Sequence, residues 1–282
     1  GVLRATLAPL RRDAHHRKAP PCLYECSARN ALAARQAGWA VLRIAAEAVL
    51  SPAAFNEAGS HHRQLRRKLR HAEKSGLTVL PAPANLPLAQ MEALDKLWQE
   101  QHGGARGTTM GRFEANYLAT QRVFLAWEND RIIGFISLHV SKAEWCLDLI
   151  RICPDAPDGT GHVLLRAAIS ASAEEGIARL SLAAVPDHRY AARLDPGLRR
   201  FKASFAPTWE PRYMACPSWS EMIIAGLEMA RLINRPGKVL PASTALNQSV
   251  VAAGSFATST AEADHEDAGW EEALQTPDAR AS

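Results

Sequence analysis

Cys146-Leu-Asp-Leu-Ile-Arg-Ile-Cys-Pro-Asp-Ala-Pro-Asp-Gly-Thr-Gly161 reads as a strand that runs into a turn and opens a helix. The apolar run as far as Ile152 carries two charges, Asp148 and Arg151. Pro154 and Pro157 end it, since proline brings no N–H to a ladder. Gly159 and Gly161 make the turn, and Val163 to Glu175 reads as a helix. Strand, glycine-containing turn and helix N-terminus together present backbone N–H groups to an anion. Gly159 and Gly161 are therefore candidate substrate-binding positions. Side chains alternate along a strand, so Asp148 and Arg151, three apart, face opposite sides if the strand is regular. They serve one site only if it bends or ends between them. The plainer reading leaves both charges solvated or paired with each other.

Outward from this stretch, Val123 to Glu128 and Ile132 to Val140 read as strands joined by a hairpin-like turn at Asn129-Asp130. Upstream, Leu88 to Gln101 and Phe113 to Arg122 read as helices flanking a loop with three glycines. Downstream come a strand at Leu180 to Ala183, a helix at Arg199 to Phe205 and a last strand at Pro207 to Ala215. Helix–helix–strand–strand–strand–turn–helix–strand is the order of the acetyltransferase-like (GNAT) fold. The expected class is thus α/β (α+β), a mixed sheet flanked by helices.

Pro81, Pro83 and Pro87 mark a linker. They place a domain boundary, with a complete acetyltransferase-like domain at 83–235 and a shorter stretch at 1–82. In that shorter stretch, Gly1 to Pro21 reads as a basic lead-in or surface loop and Leu23 to Cys26 as a short strand. Ala28 to Ala37 reads as a helix stopped by Gly38, and Trp39 to Ile44 as a strand; Ala45 to Leu50 is open between the two states, and Leu77 to Leu80 is strand-like. Ser218 to Asn234 reads as a further helix with Met222, Ile223, Leu227, Ala230 and Leu232 near one face, expected to pack rather than to meet a membrane. Residues 236–282, rich in Ala, Ser, Thr, Pro and acids, read as a disordered tail.

Ser60 to Ser75 is a helix with Gly76 as its stop. Leu65, Leu69 and Ala72 make an apolar stripe, opposed by Arg63, Arg66, Arg67, Arg70 and Lys74. Glu73 is the one acid in a run with six Lys and Arg, and His61, His62 and His71 join them. That bias points to phosphate-backbone contact, with tRNA as the expected partner; an anionic lipid surface fits the same charge.

The chain has 282 residues, 47% apolar, and a net charge of +4. The charge is uneven: Ser255 to Ser282 holds seven acids and one Arg, leaving 32 Lys and Arg against 22 Asp and Glu elsewhere. A basic body implies an anionic partner. Five cysteines without regular spacing suggest neither a disulfide framework nor a zinc site, so reduced thiols and a cytoplasmic setting are expected. No metal and no cofactor are expected. No apolar run reaches bilayer-spanning length. The chain begins with Gly1 and shows no signal-peptide pattern, so an upstream membrane part is a possibility the sequence leaves open.

A second stretch, Leu198-Arg-Arg-Phe-Lys-Ala-Ser-Phe-Ala-Pro-Thr-Trp-Glu-Pro-Arg-Tyr213, taken with the first, resembles the catalytic domain of the bacterial phosphatidylglycerol lysyltransferases, the aminoacyl-phosphatidylglycerol synthases. That family has an Asp-Leu-(apolar)-Arg strand before a Pro-x-x-Pro-x-Gly turn, and a Phe-Lys-x-x-Phe-x-Pro-x-Trp-x-x-Arg-Tyr segment further on. Pro21-Cys-Leu-Tyr-Glu-Cys-Ser27, Ala37-Gly-Trp39, Glu47-Ala-Val49, Leu65-Arg66 with Lys74-Ser-Gly76, and Gly111-Arg-Phe113 match in the same order. The resemblance runs from about Pro20 to Leu232. It departs at Ser204, where the family often has a second basic residue.

The resemblance implies two acetyltransferase-like domains in tandem, the second carrying most catalytic residues, which makes 1–82 a partial first acetyltransferase-like domain. It also implies transfer of an amino acid (lysine, alanine or arginine) from aminoacyl-tRNA to a hydroxyl of phosphatidylglycerol or another anionic lipid, at the inner face of the bacterial cell membrane. Asp148 and Arg151 then belong to the central site. Asp148 is expected to orient the attacking hydroxyl or hold the substrate's α-amino group, and Arg151 to bind a phosphate or buttress Asp148. Lys202 and Arg212 are phosphate-binding candidates, and Tyr213 positions them. Arg112 joins Gly159 and Gly161 as a substrate-binding candidate. The chemistry requires two polyanions held close, a hydroxyl oriented and an oxyanion stabilised. No nucleophile motif is present, so direct transfer without a covalent intermediate is expected.

Two other readings stand beside this one. A CoA-dependent N-acetyltransferase would use Gly159-x-Gly161, but Ala156 and the prolines of the turn fit pyrophosphate poorly. A non-catalytic tRNA- or lipid-binding module would not need Asp148, Arg151, Lys202 and Arg212 together.

Overall fold

The computed structural model describes residues 2–102, 111–187, 189 and 196–234. The tail expected at 236–282 and most of the glycine loop after His102 lie outside the described residues. The elements are α1 (Val2–His16), β1 (Leu23–Cys26), α2 (Ala28–Gln36), β2 (Ala40–Leu50), α3 (Arg63–Lys74), β3 (Thr78–Pro81), α4 (Leu88–His102), α5 (Ala115–Leu118), β4 (Arg122–Glu128), β5 (Arg131–Val140), β6 (Glu144–Ile152), α6 (Thr160–Glu174), β7 (Arg179–Pro186), α7 (Pro196–Ala203), β8 (Thr208–Cys216) and α8 (Trp219–Asn234). The strands form a mixed sheet of order β1-β8-β2-β7-β6-β5-β4-β3, flanked by helices. Two compact units divide the chain, 43–212 and 1–42 with the residues from 213 on. The Pro81–Pro87 segment stays inside the larger unit, where β3 pairs with β4 and Ala82 N–H donates to the Val123 carbonyl at 2.8 Å.

In the unit 43–212, β3, β4, β5 and β6 are antiparallel neighbours, β6 and β7 are parallel, and β7 is antiparallel to β2. β4 and β5 are buried almost throughout, which is why they read as near-continuous apolar runs. β6 alternates strictly: Trp145, Leu147, Leu149 and Arg151 are buried, while Glu144, Cys146, Asp148, Ile150 and Ile152 face the other side and are half-buried. α4 lies against the first face and α6 against the second, where Gly134 meets Leu164 and Thr160. Phe124, Ile133, Phe135, Leu149 and Leu164 anchor one core, each fully buried side chain contributing roughly 1.5–3 kcal/mol.

Two features of this unit shape the site. The parallel ladder spans only Glu144–Cys146 against Arg179–Ser181, after which β6 continues along β5 and β7 along β2. The turn before α6 is buried: Gly159 has φ 103°, and a Cβ there would collide with the Lys68 carbonyl of α3. A Cβ on Gly161 would press on Ile152 and Phe201. Sequence placed a longer helix at Phe113 to Arg122; only Ala115–Leu118 is helical, and Arg122 already belongs to β4, because its neighbours Val123 to Ala126 are claimed by the core.

In the unit formed by 1–42 and 213–234, Ser27 caps α2 by accepting from the Asn30 N–H at 3.4 Å. Leu7, Ala34, Trp39 and Ala215 form one cluster, and Ala28, Ala31 and Tyr213 another. The loop expected over Gly1 to Pro21 is a helix as far as His16. Leu7, Leu10 and Ala14 repeat at helical spacing and turn inward, an apolar stripe hidden in the sequence by Pro9 and the basic run. In α8 the inward face is Met222 and Ala225. Ile223, Leu227 and Leu232, expected to pack, are 65%, 68% and 45% exposed.

Candidate active site

The open end of β6 collects the polar groups. Asp148 stands just past the point where β6 and β7 part, and its side chain is 11% exposed. Gln121, at the end of the short segment after α5, donates its amide to Asp148 Oδ2 at 2.8 Å. His139 of β5 pairs in register with Cys146, so its ring shares the Asp148 face, with Nε2 3.7 Å from Oδ2. The Tyr117 hydroxyl is 2.9 Å from that same nitrogen. Burial, and then the Asp148 charge that the hydroxyl also bonds, push the Tyr117 phenol well above its usual range. Tyr117 therefore stays protonated and supplies a donor. Gly111 closes the group: a Cβ there would overlap the Asp148 carboxylate. Arg112 beside it is exposed and pairs with Glu114 at 2.8 Å.

Along the same face, past Cys146, lies an ion network built from four strands. Arg179 of β7 holds Glu144 at 2.8 Å, Glu47 of β2 at 3.0 Å and Glu210 of β8 at 2.9 Å. Arg212 binds Glu47 and, at 2.9 Å, Glu210, while Ser181 donates to Glu47. Burial works against the Glu210 charge, but Arg179 and Arg212 together hold that carboxyl below its ordinary value. Cys146 sits between the network and Asp148; burial first, and the nearby carboxylates after it, push its thiol up to about 11.

The structure brings some of the expected residues together and separates others. Asp148 lies on the polar stretch of the face that also carries Cys146 and Glu144. Arg151 points through the opposite face, fully buried, with Nε 2.5 Å from Asp95 of α4 and its guanidinium over Trp98, 3.9 Å from the ring centroid. Arg212 is committed to the ion network. Lys202 is 4% exposed and donates to the Ala183 and Ala184 carbonyls at 2.9 and 3.2 Å, where Ala183 adopts a left-handed φ of 63° and the β2–β7 register shifts. Tyr213 is buried in the smaller unit against Ala28 and Ala31. Gly159 and Gly161 are buried, so the α6 N-terminus is packed beneath α3 and Phe201 rather than facing a ligand. An acyl-CoA pyrophosphate would need that turn open.

On α3, Arg63, Arg67, Arg70 and Lys74 are exposed along one stripe. Arg66 turns back to cap the Glu57 and Gly59 carbonyls at 2.5 and 2.7 Å. The residues sequence reasoning did not single out are Tyr117, Gln121, His139, Glu144, Arg179 and Glu210. The strand alternation of β6, carried across the Val140–Trp145 hairpin, was the one signal that put His139 on the Asp148 face.

The sequence model for the C-terminal domain of phosphatidylglycerol lysyltransferase matches residues 2–216. A Nocardia farcinica protein named as the lysylphosphatidylglycerol biosynthesis bifunctional protein LysX is 30% identical over 173 residues, covering 57% of this chain and 15% of its own length. A Mycolicibacterium vanbaalenii protein of the same name is 29% identical over the same shares. The chain thus spans about 15% of the length of these curated relatives. The fold is also that of a lysylphosphatidylglycerol synthetase C-terminal domain from Agrobacterium fabrum, with a TM-score of 0.73 at 24% identity over 83% of this chain and 79% of that one. L-PGS from Bacillus licheniformis gives 0.72 at 18% identity, over 81% and 77%. Matched along most of its length by the family's own model, the chain belongs to the phosphatidylglycerol lysyltransferase C-terminal family.

Proposed function

We propose that this chain carries an aminoacyl-transfer site that moves an amino acid from the 3′ ester of an aminoacyl-tRNA to a hydroxyl of phosphatidylglycerol. The observation that carries this reading is Asp148: a mostly buried carboxylate ringed by Tyr117, Gln121 and His139. An aminoacyl ester carries an α-amino group that is an ammonium when protonated, and a carboxylate in such a setting favours that form, holds it and fixes the ester beside it. In the transfer, the lipid oxygen bonds to the ester carbonyl carbon, the bond from that carbon to the ribose oxygen breaks, and the lipid hydroxyl proton ends on the ribose oxygen. Tyr117, held protonated, is placed to donate a hydrogen bond as charge develops.

Direct transfer is favoured over a covalent intermediate. Cys146 is the nearest thiol on this face, and a thiol pushed up to about 11 is a poor nucleophile at neutral pH. Arg151, Lys202 and Arg212 are assigned positioning roles. Each holds fixed a strand or bulge that frames Asp148: Arg151 ties β6 to α4, Lys202 the irregular stretch of β7, and Arg212 the β2–β8 network. The exposed α3 stripe is assigned to the tRNA backbone.

The test is a transfer assay with charged tRNA and phosphatidylglycerol vesicles. Labelled amino acid entering the lipid phase, abolished by RNase pretreatment and by Asp148→Asn, supports the reading. No label in lipid from folded protein, with label moving instead from acetyl-CoA to an amine, would overturn it.

A further inference from the structure

Helix α8 carries more large apolar surface into solvent than any other described element. Trp219 is 59% exposed, Ile223 65%, Ile224 52% and Leu227 68%. At 100° per residue, Trp219, Ile223 and Leu227 form one ridge, with Ile224 at its edge, while Met222 and Ala225 on the other side are buried. Scattered apolar residues are ordinary on a surface, but a contiguous row with a Trp at one end marks an interaction face. No described helix is long and apolar enough to cross a membrane, and α8 has 16 residues. A helix of this length with one apolar side is suited to lie in an interface plane, not to span it.

The charge of the described residues in its unit points to the partner. Those residues, 2–42 and 213–234, contain eight Lys and Arg against four Asp and Glu. Arg11, Arg12, Lys18 and Arg29 are exposed there. A net-positive body carrying an apolar ridge matches an anionic bilayer, each basic group near such a surface adding to the attraction. We infer that α8 docks this protein on an anionic lipid surface, burying Trp219, Ile223, Ile224 and Leu227 at the headgroup–acyl boundary. The inference rests on the lipid acceptor proposed above, and it supplies the element that reaches the lipid.

The experiment is flotation of the full chain with phosphatidylglycerol-containing vesicles, without tRNA, so that binding is read separately from transfer. Wild-type protein is expected to float with anionic vesicles, at least about tenfold less with zwitterionic ones, and several-fold less in high salt. Ile223→Glu with Leu227→Glu is expected to lower binding about tenfold or more, and Ile223→Ser with Leu227→Ser to do so without new charge. Circular dichroism unchanged from wild type confirms that the variants fold, since neither side chain is packed. Emission of Trp219 should be quenched by brominated lipid, a signal lost in Trp219→Phe. Flotation of the Glu and Ser variants equal to that of wild type would overturn the inference, as would wild-type binding to zwitterionic vesicles equal to that to anionic ones, or none at all. Light scattering that shows a dimer dissolved by the same variants, with no flotation, would assign the ridge to a second copy. Flotation that emerges only after removal of residues 236–282 would assign it to the tail. Transfer to a soluble headgroup, glycerophosphoglycerol, should survive the α8 substitutions; if it is absent from wild type while flotation holds, the transfer reading fails and the docking does not.

Discussion

Asp148 and Arg151 stand three residues apart on β6 and point to opposite faces of the sheet, one to the polar side and one into a buried pair with Asp95. The register against β5 shifts at Asp148, between Leu147 and Leu149, but the side chains keep alternating from Asp148 to Arg151, and that alternation decides the matter. Two charges that look like one site in sequence therefore have separable consequences.

Asp148→Asn keeps the shape and the hydrogen bond from Gln121 but removes the charge. Transfer is expected to fall by at least about 100-fold, the scale of losing a positioned charged group at a reacting centre. The melting temperature should move little, because Asn fills the same space and still accepts the Gln121 hydrogen bond. A variant with wild-type kcat would remove Asp148 from the mechanism.

Arg151→Met should do the reverse. It leaves the buried Asp95 charge with only the Gln99 hydrogen bond, a loss of about 3–5 kcal/mol by the measure of broken buried pairs. Urea unfolding reads this directly. Adding Asp95→Leu should recover much of the loss, since the uncompensated charge goes too. A Arg151→Met protein as stable as wild type would show that the pair contributes nothing.

This contrast also marks what was legible in the sequence. From β4 to β8 the strands and helices follow from apolar alternation and from the prolines and glycines around Gly159. Helix α1 was not legible, because Pro9 and the basic run mask the Leu7–Leu10–Ala14 stripe. The surroundings of Asp148 were harder still. Tyr117 and Gln121 arrive from around a four-residue helix, and the Glu47–Arg179–Glu210–Arg212 network joins strands far apart in the chain. Such partners depend on strand order, which local pattern does not contain. The inward commitment of Lys202 is similar: only the left-handed turn at Ala183 explains why an ammonium is wanted there.

The α3 stripe yields a salt test. Reversing Arg63, Arg67 and Arg70 to Glu is expected to weaken tRNA binding and to reduce the slope of log affinity against log salt by about 2–3, roughly one unit per phosphate contact. Arg66 is left alone because its two carbonyl bonds make it a structural residue. An unchanged slope would return the stripe to an ordinary solvated face.

His162 predicts how stability depends on pH. It stands beside α3 and α7, stacked on Phe205 and edge-on to Phe201, with Lys68 and Asp158 as its charged neighbours. Burial first, and then Lys68, lower it from 6.5 to about 4, with Asp158 opposing. The folded state thus resists the proton that the unfolded chain takes up near pH 6.5. Its contribution is full above that value and is lost as pH falls from about 6.5 towards 4, on the order of 3 kcal/mol at most. Chemical denaturation across this window should show stability falling with pH in wild type, and a flatter curve in His162→Leu, which keeps the apolar contact and removes the titration. Carboxylates such as Asp158 titrate lower and should leave the upper half of the window to His162. Parallel curves for the two proteins between pH 6.5 and 5 would show that His162 is protonated as readily in the folded chain as in the unfolded one.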